Sequence, residues 1–243
     1  MRTTKIEWTE RTWNPVTGCA KYSDGCKHCY AEVMSRRLYA MGNPKYKNGF
    51  LISIHPEDLR EPLRWKKSAM IFVCSMSDLF HKDVPFEFID QVFQTIRDTP
   101  YHTYQILTKR AERMKEYFQT RTIPLNAWLG VTVEDVKSKY RIDCIRALQA
   151  PIKFISCEPL LEDLGELDLM GINWVIVGGE SGVQARPMQE KWVLNIQAQV
   201  DKQHIPFFFK QWGTWGQDGI KRNKRDNGKL LQGKVVQHFP NVK

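Results

Sequence analysis

The chain has 243 residues, of which 42% are hydrophobic, and it carries a formal net charge of +9. That length supports one sizeable core, and no run of residues approaches the roughly 20 apolar residues of a membrane span. The N-terminus lacks the apolar segment of a signal peptide. We therefore expect a cytoplasmic protein with reduced cysteines and no membrane contact; composition carries no information on the oligomeric state.

Short apolar runs alternate with amphipathic stretches along the chain, which is the pattern of repeated βα units. Eight runs are predicted to be strands: 5–13, 51–54, 70–74, 104–107, 127–133, 152–156, 174–177 and 206–209. Apolar residues at helical spacing predict helices with core-facing stripes between some of these strands. The stripes are Phe86, Ile89, Phe93 and Ile96; Val136, Tyr140, Cys144 and Leu148; and Trp192, Ile196 and Val200.

The predicted strands are apolar throughout, which favours parallel strands that are covered on both faces. The predicted fold class is therefore α/β, a partial or complete (β/α) barrel of six to eight mostly parallel strands. An open doubly wound sheet is the alternative. Residues 1–212 are predicted to form this single domain. Residues 213–243 are basic and rich in glycine, and they are predicted to be a C-terminal tail or lid with poor order.

Three of the six cysteines fall within eleven residues, in the segment Gly18–Tyr30. Cys19, Cys26 and Cys29 form the pattern C-x6-C-x2-C, and thiolates are typical ligands of zinc and of iron–sulfur clusters. A redox dithiol would not need Cys19, and a zinc site completed by His28 would crowd its ligands. A [4Fe-4S] cluster on three cysteines leaves one iron open to another ligand. The remaining cysteines are predicted to be small buried residues: Cys74, Cys144 and Cys157.

Polar residues follow nearly every predicted strand. In a (β/α) barrel the active site lies at the carboxyl ends of the strands, although ordinary surface loops are polar as well. The predicted strand ends are Cys19–Cys29, His55 and Glu57, Ser75–Asp78, Thr108–Arg110, Thr132–Asp135, Ser156–Glu158, Gly178–Ser181 and Lys210–Trp212. The glycines at 178, 179 and 182 favour either an anion-binding backbone or a tight turn, and their spacing matches no nucleotide-binding fingerprint.

The sequence resembles a phage-associated, three-cysteine-motif family of the radical S-adenosylmethionine (radical SAM) type along most of its length. This resemblance implies a [4Fe-4S] cluster on Cys19, Cys26 and Cys29 whose open iron chelates SAM. It also implies reductive cleavage of SAM to a 5'-deoxyadenosyl radical, with an electron donor such as flavodoxin or ferredoxin. The segments that carry it are the cysteine loop, Tyr30-Ala31, Leu107-Thr108-Lys109-Arg110, Glu158-Pro159-Leu160-Leu161 and Gly178-Gly179-Glu180-Ser181-Gly182. The residues predicted to contact SAM are Tyr30, Ser75, Asp78, Lys109, Glu134, Glu158, Gly178, Gly179, Glu180 and Ser181.

The sequence departs from the superfamily pattern in three places. The usual cysteine spacing is C-x3-C-x2-C, so the first gap is extended. Many relatives have an aromatic residue where His28 stands, and we assign its role near adenine to Tyr30. The superfamily's Gly-Gly-Glu ends the second strand, whereas here it comes much later, at 178–180. The substrate, the later reaction and the catalytic residues are not specified by the sequence.

The C-terminal charge suggests a polyanionic partner. Lys221, Arg222, Lys224 and Arg225 form a basic cluster, and Trp212 or Trp215 is predicted to stack on an unpaired base. A solvated tail explains the same composition. The alternative function is therefore a zinc-binding, non-catalytic nucleic-acid-binding protein, and nucleic acid is a candidate partner under both hypotheses.

Overall fold

A computed structural model describes residues 4–241 of the chain. Met1 to Thr3 of the N-terminal stretch and the last two residues of the predicted tail lie outside the described residues. Eleven strands occur in the described part. They are β1 (Arg11–Trp13), β2 (Val16–Thr17), β3 (Ser53–Ile54), β4 (Met70–Val73), β5 (Thr103–Thr108), β6 (Ala127–Thr132), β7 (Ile152–Cys157), β8 (Trp174–Gly178), β9 (Phe207–Gln211), β10 (Leu230–Leu231) and β11 (Lys234–Val235).

Seven of these strands form one sheet in the order β1-β4-β5-β6-β7-β8-β9. The pairs β1–β4, β4–β5, β7–β8 and β8–β9 are parallel. The sheet follows chain order without reversal, as in a (β/α) barrel; a doubly wound sheet would reverse its order at a switch point. The predicted α/β class with six to eight mostly parallel strands is confirmed, and the doubly wound alternative is wrong.

Two predicted strands differ from the observed ones. The run 5–13 forms a strand only over Arg11–Trp13, and residues 53–54 pair antiparallel with β2, outside the large sheet. His55 is therefore not at the end of a barrel strand. It is buried, and its Nε2 lies 2.8 Å from the hydroxyl of Thr17. The apolar run 51–54 is too short to show by its pattern which partner it pairs with.

Six α-helices lie in the described residues: α1 (Tyr30–Ala40), α2 (Phe86–Asp98), α3 (Ala111–Tyr117), α4 (Tyr140–Arg146), α5 (Glu190–Lys202) and α6 (Lys224–Asn227). The stripe on α2 is confirmed for Ile89, Phe93 and Ile96, which are buried. The stripe that begins at Val136 is wrong. A 3-10 turn precedes α4, and this shifts the helical phase so that Ile142 and Ile145 are buried while Val136 is exposed.

The chain divides into two compact units. Within the described residues, the first unit comprises 4–22, 29–130 and 148–151, and the second comprises 23–28, 131–147 and 152–241. The first unit has an aromatic core in which Phe93 stacks on Tyr117, with ring centroids 5.6 Å apart. In the second unit every residue of β8 is buried, as expected for a strand covered on both faces. That the barrel occupies one domain stays a prediction.

The segment after β9 belongs to the second unit and is held there by specific hydrogen bonds. The backbone N–H of Phe209 donates to the carbonyl of Val236 at 2.7 Å, and the indole of Trp212 donates to Leu230 O at 2.8 Å. Leu231 is buried in the same region. The expected poor order is therefore wrong for residues 213–241. Among residues 4–241, no helix combines the length and hydropathy needed to cross a membrane.

Candidate functional site

The cysteine loop, defined as residues 18–30, starts after β2 and ends where α1 begins. At its start Gly18 has φ +80°, and a Cβ there would lie 2.1 Å from the carbonyl oxygen of Leu51. The N–H of Cys19 donates to Phe50 O at 3.0 Å. Only glycine allows this close backbone approach, so the position of Cys19 depends on Gly18.

The cysteines of the loop are accessible, unlike two of the others. Cys19, Cys26 and Cys29 are half-buried thiols. Cys74 and Cys157 are buried as predicted, whereas Cys144 is only half-buried. Burial raises the pKa of the Cys74 thiol to about 12, so this side chain is an inert thiol at neutral pH. Among residues 4–241, no three Cys, His, Asp or Glu side chains are arranged as ligands of a metal ion.

In the first unit, Asp78 connects the segment after β4 with the end of β5. Its carboxylate accepts hydrogen bonds from the hydroxyl of Thr108 at 2.7 Å, the backbone N–H of Lys109 at 3.1 Å and the guanidinium of Arg110 at 2.9 Å. The N–H of Phe80 donates to it at 3.0 Å. These four bonds are made inside the protein, so the buried carboxylate fixes the orientation of Arg110.

Arg110 in turn contacts the cysteine loop. Its Nη1 lies 3.8 Å from the Sγ of Cys19, and its Nη2 donates to Ala20 O at 3.1 Å. The guanidinium also lies 4.9 Å from the centre of the Tyr22 ring. Burial alone would lower the pKa of Arg110, but the charges of Asp78 and Cys19 raise it. A fixed guanidinium at this distance stabilises the thiolate, the form of cysteine that binds metals.

Three other predicted site residues lie in the first unit. Tyr30 is 57% exposed, and its hydroxyl donates to the carbonyl of Ser75. The Ser75 hydroxyl donates to Asn14 Oδ1 at 3.1 Å. Lys109 follows β5 directly and is half-buried. These contacts bring Tyr30 beside the segment that follows β4, whereas a contact of any of the three residues with SAM stays a prediction.

In the second unit, Glu134 supports the middle of the cysteine loop. Its side chain is fully buried and pairs with Arg141 at 2.7 Å. Arg141 also donates to the carbonyl of Thr132 at 2.7 Å. The hydroxyl of Ser23 donates to Glu134, and a Cβ on Gly25 would lie only 3.0 Å from the Oε1 of Glu134. The buried ion pair thus holds the 3-10 turn that contains Cys26.

Glu180 supports the same turn through a second arginine. The guanidinium of Arg186 forms two hydrogen bonds with the Glu180 carboxylate, at 2.6 and 2.9 Å. Its Nη2 also donates to the backbone carbonyl of Asp24 at 3.0 Å. The hydrogen bond to Glu180 raises the pKa of Arg186. Asp78–Arg110, Glu134–Arg141 and Glu180–Arg186 are called the supporting ion pairs below.

The glycines at 178 and 179 serve close packing. A Cβ on Gly179 would lie 1.9 Å from Trp212 O, and its N–H donates to Gln211 O at 2.9 Å. Gly178 lies beside Glu158, which pairs with Lys210. Ser181 accepts a hydrogen bond from Gln211 at 3.1 Å. The close approach of Trp212 O accounts for a glycine at 179, while a role of this segment in SAM binding stays a prediction.

The sequence interpretation placed the acidic residues at the strand ends but missed their partners. Arg141 and Arg186 were not singled out, and neither was Ser23. A signal was available, because Arg141 follows Glu134 by seven residues and Arg186 follows Glu180 by six. Acidic residues just after buried strands need a counter-charge nearby, and an arginine six or seven residues later in the chain can supply it.

The C-terminal residues predicted to bind nucleic acid are partly engaged within the protein. Trp212 is buried, so the prediction that it stacks on an unpaired base is wrong. Trp215 is half-buried, and its indole donates to Ala185 O at 2.6 Å. Arg222 pairs with Asp218 at 2.7 Å, and Lys221 donates to Val183 O at 2.6 Å. Two of the four basic residues therefore already have partners in the second unit.

Three solved structures similar to the chain are mutants of spore photoproduct lyase. A cysteine-to-alanine mutant with dinucleoside spore photoproduct is 13% identical with a TM-score of 0.48, covering 83% of this chain and 65% of that one. A cysteine-to-serine mutant is 13% identical with a TM-score of 0.48, and a tyrosine-to-phenylalanine mutant is 13% identical with a TM-score of 0.49. Both comparisons cover 96% of this chain and 75% of the other. The chain thus spans about two thirds of the length of the first of them.

No curated protein matches the sequence. One protein family matches residues 3–240, which is nearly the whole chain, and it is described as a protein of unknown function, DUF5131. The chain therefore belongs to the DUF5131 family.

Proposed function

We propose that the protein is a radical SAM-type enzyme that binds a [4Fe-4S] cluster through Cys19, Cys26 and Cys29. The observation that carries the proposal is a loop with three accessible thiols in eleven residues, in which Ala20, Ser23 and Asp24 are each hydrogen-bonded to one of the supporting ion pairs. A loop that served only as a surface connection would not need three such ion pairs.

The donor set fits the cluster chemically, because thiolates are the ligands that iron–sulfur clusters take. Arg110 stabilises the thiolate of Cys19. When bound, the cluster would supply the electron that cleaves SAM to methionine and a 5'-deoxyadenosyl radical, with a reduced flavodoxin or ferredoxin as donor.

The residues of the chain would then position SAM and limit the access of water. The pair Glu158–Lys210 lies where β7 ends and within β9, and both side chains are half-buried. A partly accessible carboxylate beside an ammonium group matches the charged amino and carboxylate groups of SAM. Tyr30, Lys109 and Ser181 are the other accessible candidates for contact with SAM.

The first experiment is anaerobic purification followed by reconstitution with iron and sulfide. We expect a brown protein with about four iron and four sulfide per chain. Cys19→Ala, Cys26→Ala and Cys29→Ala should each lose the colour, whereas Cys144→Ala is a matched control that should keep it. A colourless protein that binds one zinc per chain under these conditions would contradict the proposal and favour the zinc-binding alternative.

The second experiment tests the open iron. SAM added to the reduced protein should change the electron paramagnetic resonance spectrum of the cluster and slowly yield 5'-deoxyadenosine and methionine. Arg110→Lys keeps the positive charge but loses the two-donor geometry, so we expect weaker cluster retention with an intact fold. A spectrum that does not respond to SAM, in protein fully loaded with iron, would point to an electron-transfer protein.

Nucleic acid is the candidate substrate that the net charge of +9 favours. Binding to single-stranded DNA or RNA should weaken as salt rises, because phosphate contacts release counterions. If the full chain shows no salt-sensitive binding to either, a small molecule or a peptide becomes the substrate class.

A further inference from the structure

A cleft of about 610 Å³ lies in the first unit, beside the start of the cysteine loop. Lys21 and Tyr22 of the loop line one part of it, and His81, Lys82 and Arg113 line another. Tyr22 is 43% exposed, so its ring is accessible. Of the residues that line this cleft, the proposed function uses only Arg110.

His81 brings a buried hydrogen-bond donor to the cleft. The side chain is 2% exposed, and the backbone N–H of Asp83 donates to its Nδ1 at 3.2 Å. Because Nδ1 accepts, the neutral ring carries its proton on Nε2. Burial and the charge of Arg110 lower the pKa of His81, which keeps the ring neutral. Among residues 4–241, Nε2 has no hydrogen-bond partner.

Arg113 brings a second donor, which is charged. Its Nη2 donates to Val84 O at 2.8 Å, and its guanidinium lies 4.4 Å from the centre of the Phe86 ring. These contacts fix the side chain. Its Nη1 is buried and lacks a hydrogen-bond partner within the described residues. A buried donor without an acceptor is destabilising, so two of them lining one cleft indicate a ligand that supplies acceptors.

The charge of the lining favours an anion. Apart from Arg110, which is paired with the buried Asp78, three cationic side chains line the cleft against two carboxylates, those of Glu112 and Glu116. Lys21 also lies 3.6 Å from Glu32, and Lys82 lies 2.9 Å from Asp83. Both lysines are largely exposed, so these surface contacts are weak and easily exchanged for a ligand. The surplus charge on the lining is therefore positive.

We propose that this cleft binds a phosphate group, with His81 Nε2–H and Arg113 Nη1–H as its buried donors. A phosphate presents several acceptor oxygens and forms charge-assisted hydrogen bonds with guanidinium groups. Lys21 and Lys82 add charge at the accessible part of the lining, and Tyr22 offers a ring on which a nucleobase can stack. The source of the phosphate is inorganic phosphate, a mononucleotide or a nucleic-acid strand.

The test is a titration of the full chain, as purified, at constant ionic strength. The probes are inorganic phosphate, a 5'-mononucleotide and a single-stranded oligonucleotide, with acetate as the control anion. Nitrogen NMR of the histidine rings reports on His81 directly, and we expect its Nε2 resonance to shift with phosphate probes and not with acetate. The tightest of the three probes identifies the source.

Variants locate the site. Arg113→Gln should weaken phosphate binding about tenfold or more, since it removes a hydrogen bond to a charged ligand. Lys115→Gln is the matched control, because it removes the same charge from an exposed position on α3 outside the lining. Lys82→Gln, at a side chain that is 78% exposed, should weaken binding about twofold without changing the melting temperature. It keeps the test valid if Arg113→Gln does not fold.

Two results would overturn the proposal. One is an unchanged His81 Nε2 resonance at phosphate concentrations that saturate the protein. The other is an equal loss of affinity in Lys115→Gln and in the cleft variants, which would mean that binding follows net charge alone. Neither result depends on iron or SAM, so the proposal can fail while the proposed cluster function stands.

Discussion

Replacement of Glu134 by glutamine tests whether a buried ion pair supports the cysteine loop. Glu134 is fully buried and Arg141 is 3% exposed, with 2.7 Å between their charged groups. Glutamine keeps the size of the side chain and an oxygen that accepts the hydrogen bond from the Ser23 hydroxyl. The substitution therefore removes the charge and leaves the guanidinium of Arg141 buried without its counter-charge.

The expected loss of stability follows from this geometry. Removal of one partner from a buried ion pair costs about 3–5 kcal/mol, because the remaining charge stays desolvated. For a chain of this size, each kcal/mol lowers the melting temperature by about 2–4 °C. We expect Glu134→Gln to melt at least about 6 °C below the wild type. Ser23→Ala removes only a hydrogen bond, which is worth about 1 kcal/mol, so it should melt about 2–4 °C lower.

Thermal unfolding followed by circular dichroism measures the first effect. The second effect is a local loosening of the cysteine loop. The labelling rate of Cys26 by a thiol reagent measures it, because the Ser23 hydroxyl lies 3.9 Å from the Cys26 sulfur. Both variants should speed labelling. Glu166→Gln is the control, since that carboxylate is exposed in the same unit. A Glu134→Gln protein within about 0.5 kcal/mol of the wild type, the range of ordinary surface changes, would refute the reasoning.

Gly179→Ala should prevent correct folding or lower the melting temperature far more than Gly178→Ala, because the added Cβ would lie 1.9 Å from a backbone oxygen at 179 but 3.4 Å from a side chain at 178; equal melting temperatures would contradict this. The free energy of unfolding should also fall as the pH is lowered from 7.5 to 5.5, most steeply below the unfolded-state histidine pKa of about 6.5. Burial lowers the folded pKa of three histidines, so the unfolded state binds protons that the folded state does not, by up to about 1.4 kcal/mol per histidine per pH unit. Urea midpoints at the two pH values measure it, and equal midpoints would contradict it. These histidines are His55, His81 and His102.

The parallel sheet could be predicted because its strands are apolar on both faces. The runs 152–156 and 174–177 became β7 and β8 with boundaries one residue away, since such strands are buried wherever they lie in the sheet. The run 51–54 has the same apolar character but only two of its residues form a strand, in a separate small sheet. A short apolar run does not encode its partner, so this pairing was missed.

The C-terminal segment shows the opposite error. Its many glycines and charges predict poor order, yet Leu231 is buried in it and the indole of Trp212 donates to Leu230 O. Backbone hydrogen bonds with β9, such as Phe209 N to Val236 O, supply the order. Composition measures the average tendency of a segment, whereas single apolar anchors and backbone pairing decide whether it packs.

The sequence by itself determined the α/β class with its mostly parallel strands, the cysteine loop and the acidic residues that follow the buried strands, because each depends on residue type and local spacing. Only the tertiary structure decided what those acidic residues contact. Glu134 and Glu180 pair with Arg141 and Arg186, which hold the loop, and their predicted contact with SAM stays a prediction. A buried carboxylate takes the nearest available counter-charge, and which cation is nearest depends on how the chain folds back. The buried donors of His81 and Arg113 at the cleft depend on the same folding and leave no pattern in the sequence.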